Sequence, residues 1–527
     1  MMKNIITLLL TATVASPLHD LYAQSPSKED YGRLQGGIES NGAIYKKDPS
    51  DPESQRKGDN TYINLRYTYK DFNAGLQYET FEPPMLGYEK DLKGHALTQY
   101  YANYSGQKVN LTLGSFYEQF GSGLLLRAYE ERSLGINNSL RGLNIKYTPT
   151  DWASIKVIGG QPRRYLTYAD AFVAGIDTDL SIAHLWTKER NYDVTLGGSW
   201  LSHFNTKEFA RTKAPKQTNL WGLRTGFSTS DFTMGIEYTQ KGASQSYSPH
   251  VLRYLDEGGD ALLVNADYTL SDFGISAAFR RIEHMDFRID NLPKEIYVPM
   301  NYIPALTKQH KYALPGLYPY QARPSGEIGG QVDIYHTIKN ERLGKYPLKI
   351  ALNASHYRSL GYNPMRTMPF WGEGGTALFS ELALEVGKKI SRSLEINGGL
   401  YYQKQYYEGQ QNKSIAQVLD ILWKITRKYS LRSELQHMTT DMKDKGWIYG
   451  LAEVGLAPRF AFYGSLMYSY AADAKQLYYT IGSSFTYNSL RASLSYGRNR
   501  EGIQCVGGIC RFVPEYTGIT GSLSYPF

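Results

Sequence analysis

The feature that most constrains this chain is an alternation of apolar and polar residues, which runs almost without interruption from Tyr31 onward. In the segment YINLRYTY the apolar side chains that share one face are Ile63, Leu65, Tyr67 and Tyr69. The same pattern returns in FNAGLQYE (72–79), DFTMGIEYT (231–239) and LKIALNAS (348–355). Successive side chains of a β-strand point to opposite faces, so alternation over about eight residues predicts a strand with one apolar face. The chain is therefore predicted to be all-β.

The composition agrees with this prediction. The 527 residues include 45 Tyr and 50 Gly, and the mean hydropathy is −0.44. Aromatic residues are enriched in strands, and no run of about 18 apolar residues occurs, which excludes a membrane-spanning helix. The formal net charge of +8 is spread along the chain, so it indicates no acidic partner and no nucleic acid.

Short and long connections alternate along the chain between these segments. Short turns join one set of neighbours, at 70–72, 105–108, 149–152, 229–231, 271–273 and 457–459. Longer polar segments join the other set, at 46–60, 83–96, 119–138, 204–217, 244–259 and 286–326. This asymmetry is typical of a single antiparallel up-and-down transmembrane β-barrel with short periplasmic turns and long extracellular loops. Counting the segments predicts about 24 strands, in a range of roughly 22–26.

Charged residues occupy the face opposite the aliphatic one. They are Arg66, Glu79, Arg224, Glu237, Arg280, Asp333, Lys349, Glu381, Glu385, Arg432, Glu434 and Glu453. A soluble sandwich would also alternate, because one face packs a core and the other meets water. In a membrane barrel the apolar face meets lipid and the charged face lines a wet lumen. The long strands and the Tyr residues at strand ends favour the membrane barrel.

Both ends of the chain agree with the barrel prediction. Residues 1–23 combine Lys3, a short apolar run and Leu21-Tyr22-Ala23, which predicts a signal peptide and leaves residues 24–527 for the barrel. The last segment, YTGITGSLSYPF, places Tyr525 and Phe527 on its apolar face. An aromatic end on an amphipathic strand resembles the C-terminal signal by which outer-membrane barrels are recognised for assembly. The chain is thus expected in the outer membrane of a Gram-negative bacterium.

The two cysteines lie in CVGGIC. If Gly507-Gly508 forms a two-residue hairpin turn, Cys505 and Cys510 become a cross-strand pair at the separation that a disulfide needs. An oxidising compartment makes this bond the expected state. A metal site would need further ligands, and no His or Asp lies nearby.

No catalytic, metal or cofactor site is predicted. The ten His are scattered without a metal-ligand spacing: His19, His95, His184, His203, His250, His284, His310, His336, His356 and His437. The Gly-Ser-Gly at 121–123 lacks the Lys-Ser/Thr ending of a phosphate-binding loop. An enzyme would need His and carboxylate or Ser groups that converge at the rim, and the sequence indicates no such group.

Two long connections stand out. The segment 286–326 is rich in Pro and Tyr, a composition too aromatic for disorder, and it is predicted to form a compact cap over the mouth. The alternative is an ordinary surface loop. RTMPFWGEGG (366–375) has a similar character and either joins that cap or forms an ordinary surface loop.

The stretch 114–142 contains Leu124-Leu125-Leu126 beside a cluster of charges. Three exposed leucines on a water-facing loop would be costly, and Gly121 and Gly123 permit a sharp reversal. One interpretation is a loop, 119–138, that turns into the lumen and constricts it, with Arg127, Glu130, Glu131 and Arg132 paired to charges of the inner wall. The alternative is a surface loop with solvated charges.

The same stretch carries a family resemblance. FYEQFGSG (116–123) followed by YEERSLG (129–135), with a signal peptide that ends in Tyr-Ala-Gln, resembles a Bacteroidota-type outer-membrane β-barrel family of unassigned function. The resemblance covers the whole mature chain. It implies a barrel and an outer-membrane location, and it implies no catalytic residues.

Two functions fit these predictions. A barrel of about 24 strands encloses a lumen wider than that of a porin, so inward-folded loops must narrow or close it. The chain is then either a loop-constricted pore for solutes or a non-enzymatic structural subunit of an outer-membrane assembly, secretion or transport complex with a plugged lumen. The expected partners are outer-membrane lipid, the barrel assembly machinery and other outer-membrane proteins or lipoproteins.

Overall fold

The computed structural model describes residues 31–47, 54–185, 191–205, 215–248, 253–289, 298–361, 370–407, 409–442, 445–471, 475–506 and 509–527. The predicted signal peptide (1–23) lies outside these residues, as do the Gly507-Gly508 turn and part of the longest connection, 290–297.

Twenty-four antiparallel strands form the barrel, which confirms the predicted fold class and strand number. In chain order, β1 to β24 are Arg33–Tyr45, Lys57–Tyr69, Phe72–Phe81, Gly94–Ser105, Val109–Phe116, Leu140–Thr150, Ala153–Arg164, Ala171–Ser181, Tyr192–Asn205, Gln217–Thr229, Phe232–Ser248, Arg253–Thr269, Phe273–Glu283, Gly326–Ile338, Leu348–Arg358, Ala377–Lys389, Leu394–Tyr407, Gln410–Lys424, Tyr429–Thr440, Gly446–Leu456, Phe460–Ser469, Gln476–Tyr487, Leu490–Asn499 and Tyr516–Pro526. Among the described residues no helix is long and apolar enough to span a bilayer.

The barrel closes between its first and last strands. β1 pairs with β24 from Gly37↔Pro526 to Tyr45↔Gly518. At the end of this seam Gly36 and Phe527 exchange two backbone hydrogen bonds of 2.8 and 2.9 Å, so the terminal residue is part of the ladder. Each of the other strands pairs with its neighbours in sequence, for example β6 with β5 and with β7. Closure leaves no unpaired barrel edge.

The two ends of the barrel differ. Connections of two or three residues occur at one end, here called the short-turn end, at 70–71, 106–108, 151–152, 230–231 and 270–272. The opposite, long-loop end carries the connections 82–93, 117–139, 284–325 and 500–515. The asymmetry is not uniform, because β17 and β18 at the long-loop end are joined by residues 408–409 alone.

The outer surface is apolar. Large hydrophobic side chains remain exposed along it, among them Trp200, Leu223, Leu352, Leu466 and Ile481. The twelve charges predicted for the polar face alternate with these outward residues and face the lumen, as Arg224 does between Leu223 and Thr225. An apolar exterior around a polar interior is the arrangement of a transmembrane barrel.

The predicted disulfide is formed. Cys505 and Cys510 are bonded and directly opposite each other in a hairpin of Gly502–Val506 and Ile509–Val513. This hairpin belongs to the connection between β23 and β24 and lies outside the barrel sheet.

Deleting Phe527 should lower the amount of folded barrel without changing synthesis. The deletion removes both hydrogen bonds to Gly36 at the closing seam and the aromatic end of the predicted assembly signal. The amount is measured as the fast-migrating, unboiled species on SDS gels, because a closed barrel resists SDS until it is heated. Phe527→Tyr is the matched control and should assemble normally. Wild-type assembly of the deletion would contradict the assembly role of Tyr525 and Phe527.

Candidate lumen plug

The connection 117–139, between β5 and β6, packs inside the barrel. Leu124, Leu125 and Leu126 are 0%, 1% and 0% exposed. Leu125 and Leu126 belong to a buried cluster that includes Ile158, Leu201 and Leu220 of the inner wall. Leu124 belongs to a second cluster with Ala261 and Leu263 of β12. The leucine triplet therefore covers the inner wall from β7 to β12.

Glycines allow the chain to reverse here. Gly121 and Gly123 have φ values of +53° and +97°, which L side chains rarely adopt. Gln119–Phe120 then pairs with Leu126–Arg127 in a short hairpin. A Cβ at Gly121 would lie 2.6 Å from Glu237 Oε1, and the next residue, Ser122, donates its backbone N–H to Glu237 Oε2 at 2.8 Å. The reversal is thus held against β11 by a hydrogen bond to the Glu237 carboxylate.

Arg132 joins this loop to the wall. Its guanidinium pairs with Glu39 of β1 at 2.8 Å and with Glu130 at 3.2 Å, and it lies 4.4 Å from the ring centroid of Tyr62 on β2. Burial lowers the pKa of Arg132, whereas Glu130 and Glu39 raise it, and the balance lies above the usual value. Arg132 is therefore held charged against the closing seam of the barrel.

The other three predicted charges are placed differently. Glu130 accepts a 2.7 Å hydrogen bond from Gln77 of β3. Glu131 accepts from the backbone N–H and hydroxyl of Ser133, at 3.1 and 2.6 Å, within its own loop. Arg127 lies 4.0 Å from the ring centroid of Tyr302, in the other long loop. The expectation that all four pair with wall charges is right for Arg132 alone. Glu130 contacts a neutral wall residue and the Arg132 of its own loop, and loop residues satisfy Arg127 and Glu131.

A buried ion pair that the sequence pattern does not predict lies beside this loop. Arg163, at the end of β7, donates two hydrogen bonds of 2.8 and 2.6 Å to Glu79 of β3, and both side chains are 2% exposed. Thr98 donates to the same carboxylate at 2.8 Å. Glu79 was assigned to the lumen face by its parity. The alternation of apolar and polar residues in β7 ends before Arg163, so the sequence did not predict on which face this side chain lies.

The longest connection, 284–325, interlocks with the first loop. Between the described parts of the two loops there are four hydrogen bonds: Arg127 N to Met300 O at 2.8 Å, Tyr302 N to Gly123 O at 2.8 Å, Asn301 Nδ2 to Leu124 O at 3.2 Å and Asn138 Nδ2 to Pro299 O at 2.7 Å. Phe287, Ile289 and Met300 complete the cluster around Leu125. The two loops therefore share one buried core.

The second half of this connection reaches other walls. Its polar contacts include Lys308 with Glu385 at 3.3 Å, His310 with Glu381 at 2.6 Å, Tyr312 with Asp420 at 3.3 Å and the Leu314 N–H with Gln436 at 2.8 Å. Tyr312 and Leu314 pack with Tyr401, Met438 and Trp447. The partner residues belong to β16–β20, so the connection spans the lumen from the β9 wall to the β20 wall.

Glu327 anchors the end of this connection. It forms an ion pair with Arg280, and both side chains are fully buried. The same carboxylate accepts from the Tyr320 hydroxyl at 2.5 Å and from the Arg323 N–H at 2.8 Å. Burial and the nearby Glu327 raise the pKa of Tyr320 well above its usual value, so the phenol stays a donor.

Other connections at this end are placed as follows. Arg500 lies 5.3 Å from the rings of Tyr318 and Trp447, and Arg511, on the disulfide hairpin, lies 3.8 Å from that of Tyr88.

Residues 366–369 lie outside the described residues. The segment 370–375 does not enter the lumen, because the Phe370 carbonyl accepts from Arg281, which leaves β13 on the face opposite Arg280. Aromatic and glycine content did not distinguish the outer rim from the lumen.

These two connections, 117–139 and 284–325, are together called the plug. Within the part of the chain that the structure describes, no group of three His, Cys, Asp or Glu side chains is arranged to hold a metal.

Comparison with sequence families gives a match over the whole chain. Residues 1–527 match DUF6029, described as a family of unknown function. The chain belongs to DUF6029. No curated protein sequence matches it. The Bacteroidota-type origin expected for this DUF6029 chain stays a prediction.

Among solved structures, the DUF6029 barrel is similar to the siderophore receptor PirA from Pseudomonas aeruginosa (10% identity, 95% of this chain and 81% of that chain, TM-score 0.43). It is also similar to the P pilus usher PapC translocation pore (11% identity, 94% and 99%, TM-score 0.44). A third similar structure is the import receptor Fiu from E. coli K12 (9% identity, 96% and 82%, TM-score 0.39). Similarity at these levels carries no inference about function.

Replacing Arg163 with Ala should destabilise the barrel strongly. The change leaves the Glu79 carboxylate buried without its cation, which typically costs about 3–5 kcal/mol. Urea unfolding in detergent micelles, followed by tryptophan fluorescence, measures the loss. Arg66→Ala is the matched control, because Arg66 is an exposed lumen arginine on β2. Equal midpoints for the two variants would show that the buried pair contributes no stability.

Replacing Arg132 with Ala should loosen residues 117–139 and leave the barrel intact. The loop loses its ion pair with Glu39, whereas the strand ladders do not depend on it. Hydrogen exchange measured by mass spectrometry should rise in peptides from 126–137 and stay unchanged in peptides from β1 and β6. Faster exchange along β1 itself would contradict this separation of loop and ladder.

Proposed function

We propose that this DUF6029 protein is an integral outer-membrane β-barrel of a Gram-negative bacterium and acts as a loop-constricted pore for solutes. The closed ladder and the apolar exterior support a membrane location, and single-chain barrels of this kind belong to outer membranes. The predicted signal peptide and the aromatic C-terminal strand support the same address. The long-loop end is then extracellular and the short-turn end periplasmic.

The plug is the observation that carries the pore proposal. Porins with 16–18 strands already enclose an aqueous channel, so an unfilled 24-stranded barrel would leave a wider opening. Residues 117–139 and 284–325 share a buried core with the inner wall of β5–β13 and extend to β20. Whatever crosses the barrel must pass between these loops and the wall.

Below the plug, the lumen remains polar and open to water. Arg66 of β2, Lys349 of β15 and the inward-facing Tyr335 of β14 are exposed there. This half of the barrel provides a wet path from the short-turn end up to the plug. A protein that served only as a scaffold would have no need of such a path.

The second candidate is a structural subunit of an outer-membrane complex with a sealed lumen. The dryness of the plug favours it, since the Arg280–Glu327 pair and the leucine triplet have essentially no contact with solvent. Partners would then be other outer-membrane proteins or lipoproteins at the rim. In either case we propose lipid and the barrel assembly machinery as partners and no enzymatic activity.

Deleting residues 122–134 should open the barrel. The deletion removes the leucine triplet and Arg132, so the β7–β12 wall loses its cover and conductance steps in planar bilayers should grow several-fold. Deletion of 341–344, in the β14–β15 connection at the opposite end, is the matched control and should leave the steps unchanged. Cells that carry the first deletion should also become sensitive to large antibiotics.

The outcomes separate the candidates. Small conductance steps from the wild type support the pore. A silent wild type that conducts only after deletion, and that purifies with stoichiometric partners, favours the structural subunit. Unchanged conductance after deletion, together with efficient labelling of Glu130→Cys on intact cells by a bulky impermeant reagent, would overturn the plug itself.

A further inference from the structure

A recess lies in the lumen wall beside the second half of the plug. Its volume is about 210 Å³, and it is lined by β14, β15, β16 and β17. Lys311 and Tyr312 of the plug close it from the lumen side. The recess faces the wet half of the barrel, because the lining residues come from the parts of these strands nearer the short-turn end.

The strand register explains the recess. One row of paired residues across the wall runs Thr337, Lys349, Gly387 and Asn397. The adjacent row runs Tyr335, Ala351 and Glu385. In each row a small residue stands between larger ones, and lumen-facing side chains alternate with lipid-facing ones along each strand. Ala351 and Gly387 therefore form a floor, and the larger side chains form its rim.

The rim of the recess carries two lysines, and its one carboxylate does not pair with either of them. Lys311 and Lys349 form no salt bridge with any described residue. Glu385, the carboxylate of the rim, already contacts Lys308 at 3.3 Å and accepts from the Tyr401 hydroxyl at 2.7 Å. Lys311 on the plug and Lys349 on the wall thus both line the recess, and the Lys311 Nζ lies 4.6 Å from the ring centroid of Tyr312, another lining residue.

Neighbouring carboxylates are also engaged. Asp333, one step from Tyr335 on the same wall face, accepts from Gln331 at 2.5 Å and Asn353 at 2.8 Å. Glu434 of β19 is paired with Arg432 at 2.7 Å. Asp333 keeps its charge, because amides do not neutralise it, but it does not line the recess. Among the described residues that line the recess, Lys311 and Lys349 are the charged ones that form no salt bridge.

The remaining rim groups suit a polar ring. Tyr335 is 52% exposed although its side chain faces the lumen, and it offers a ring face and a hydroxyl. Asn397 adds an amide above Gly387, with its Oδ1 2.8 Å from where a Cβ would be. An aromatic face beside amide and hydroxyl groups can stack on a sugar ring and hydrogen-bond its hydroxyls.

We propose that this recess binds small anions of about the size of a sugar phosphate or a sugar acid. The phosphate or carboxylate lies between Lys311 and Lys349, since a charge-assisted hydrogen bond is stronger than a neutral one. The ring lies against Tyr335 above Ala351. As a statement of solute class this rests on the proposed pore, whereas binding itself does not require conduction.

Isothermal titration calorimetry on the full-length barrel in detergent tests the proposal, with glucose 6-phosphate, glucuronate and glucose as probes. Both anions should bind at least tenfold more tightly than glucose. Lys349→Ala and Lys311→Ala should each weaken glucose 6-phosphate binding about tenfold, the effect of losing one charge-assisted hydrogen bond. Lys146→Ala is the matched control, because Lys146 is an exposed lumen lysine on β6, away from the recess. Ala351→Leu should abolish binding by filling the floor while both lysines remain.

The variants must first be shown to be folded, by the fast-migrating, unboiled species on SDS gels. Each outcome below is then decisive. Equal binding of glucose and glucose 6-phosphate, or equal weakening by Lys146→Ala and Lys349→Ala, would overturn the recess. Binding in a barrel that never conducts would leave the recess standing and overturn the pore. Conduction without binding of either anion would support the pore and overturn the recess.

Discussion

The backbone ladder that closes between β1 and β24 is the constraint on which the rest of the molecule depends. Lipid offers no hydrogen-bond partner, so each N–H and C=O that faces the membrane must be paired within the sheet. The pairing from Gly37↔Pro526 to Tyr45↔Gly518 removes the last open edge. Because the ladder satisfies the wall by itself, the loops inside can adopt irregular backbone, and positive φ at Gly121 and Gly123 is tolerated there.

The inner wall changes character where the plug lies against it. At the long-loop end the inward residues of β8–β12 include Val173, Leu201, Leu220 and Leu263, all buried. Further down the same strands the inward positions are polar, as with Arg224 on β10. An apolar lumen surface would be unfavourable against water, and burying it against Leu124–Leu126 releases that water. The plug and this upper wall therefore form one hydrophobic core, and the barrel below them stays wet.

The sequence determines the fold more directly than it determines the plug. A period of two with long and short connections fits few architectures, so the barrel and its strand number followed from the pattern. The leucine triplet indicated that 119–138 needs a packing surface, but two interpretations stayed open. The sequence did not predict which charged residues pair with each other. Glu79 and Arg163, for example, are 84 residues apart and meet only through the register of several strands. Residues 370–375 show the same limit, because aromatic content does not tell which side of the rim a loop takes.

The anchoring of the plug limits how the lumen can open. The connection 284–325 is held in the lumen by its buried packing and by ion pairs with the wall. Its first half shares a core with 117–139, whereas its second half is tied by separate polar contacts at Glu381, Glu385, Asp420 and Gln436. Rearrangement of residues 308–318 would break these polar contacts and the packing of Tyr312 and Leu314, and it would leave the core shared with 117–139 intact. Lys311 and Tyr312 belong to that half and also border the recess. A solute that binds there as proposed must favour the arrangement in which Lys311 and Tyr312 meet the wall. By linkage, a movement that takes these two residues away from the wall must weaken its binding.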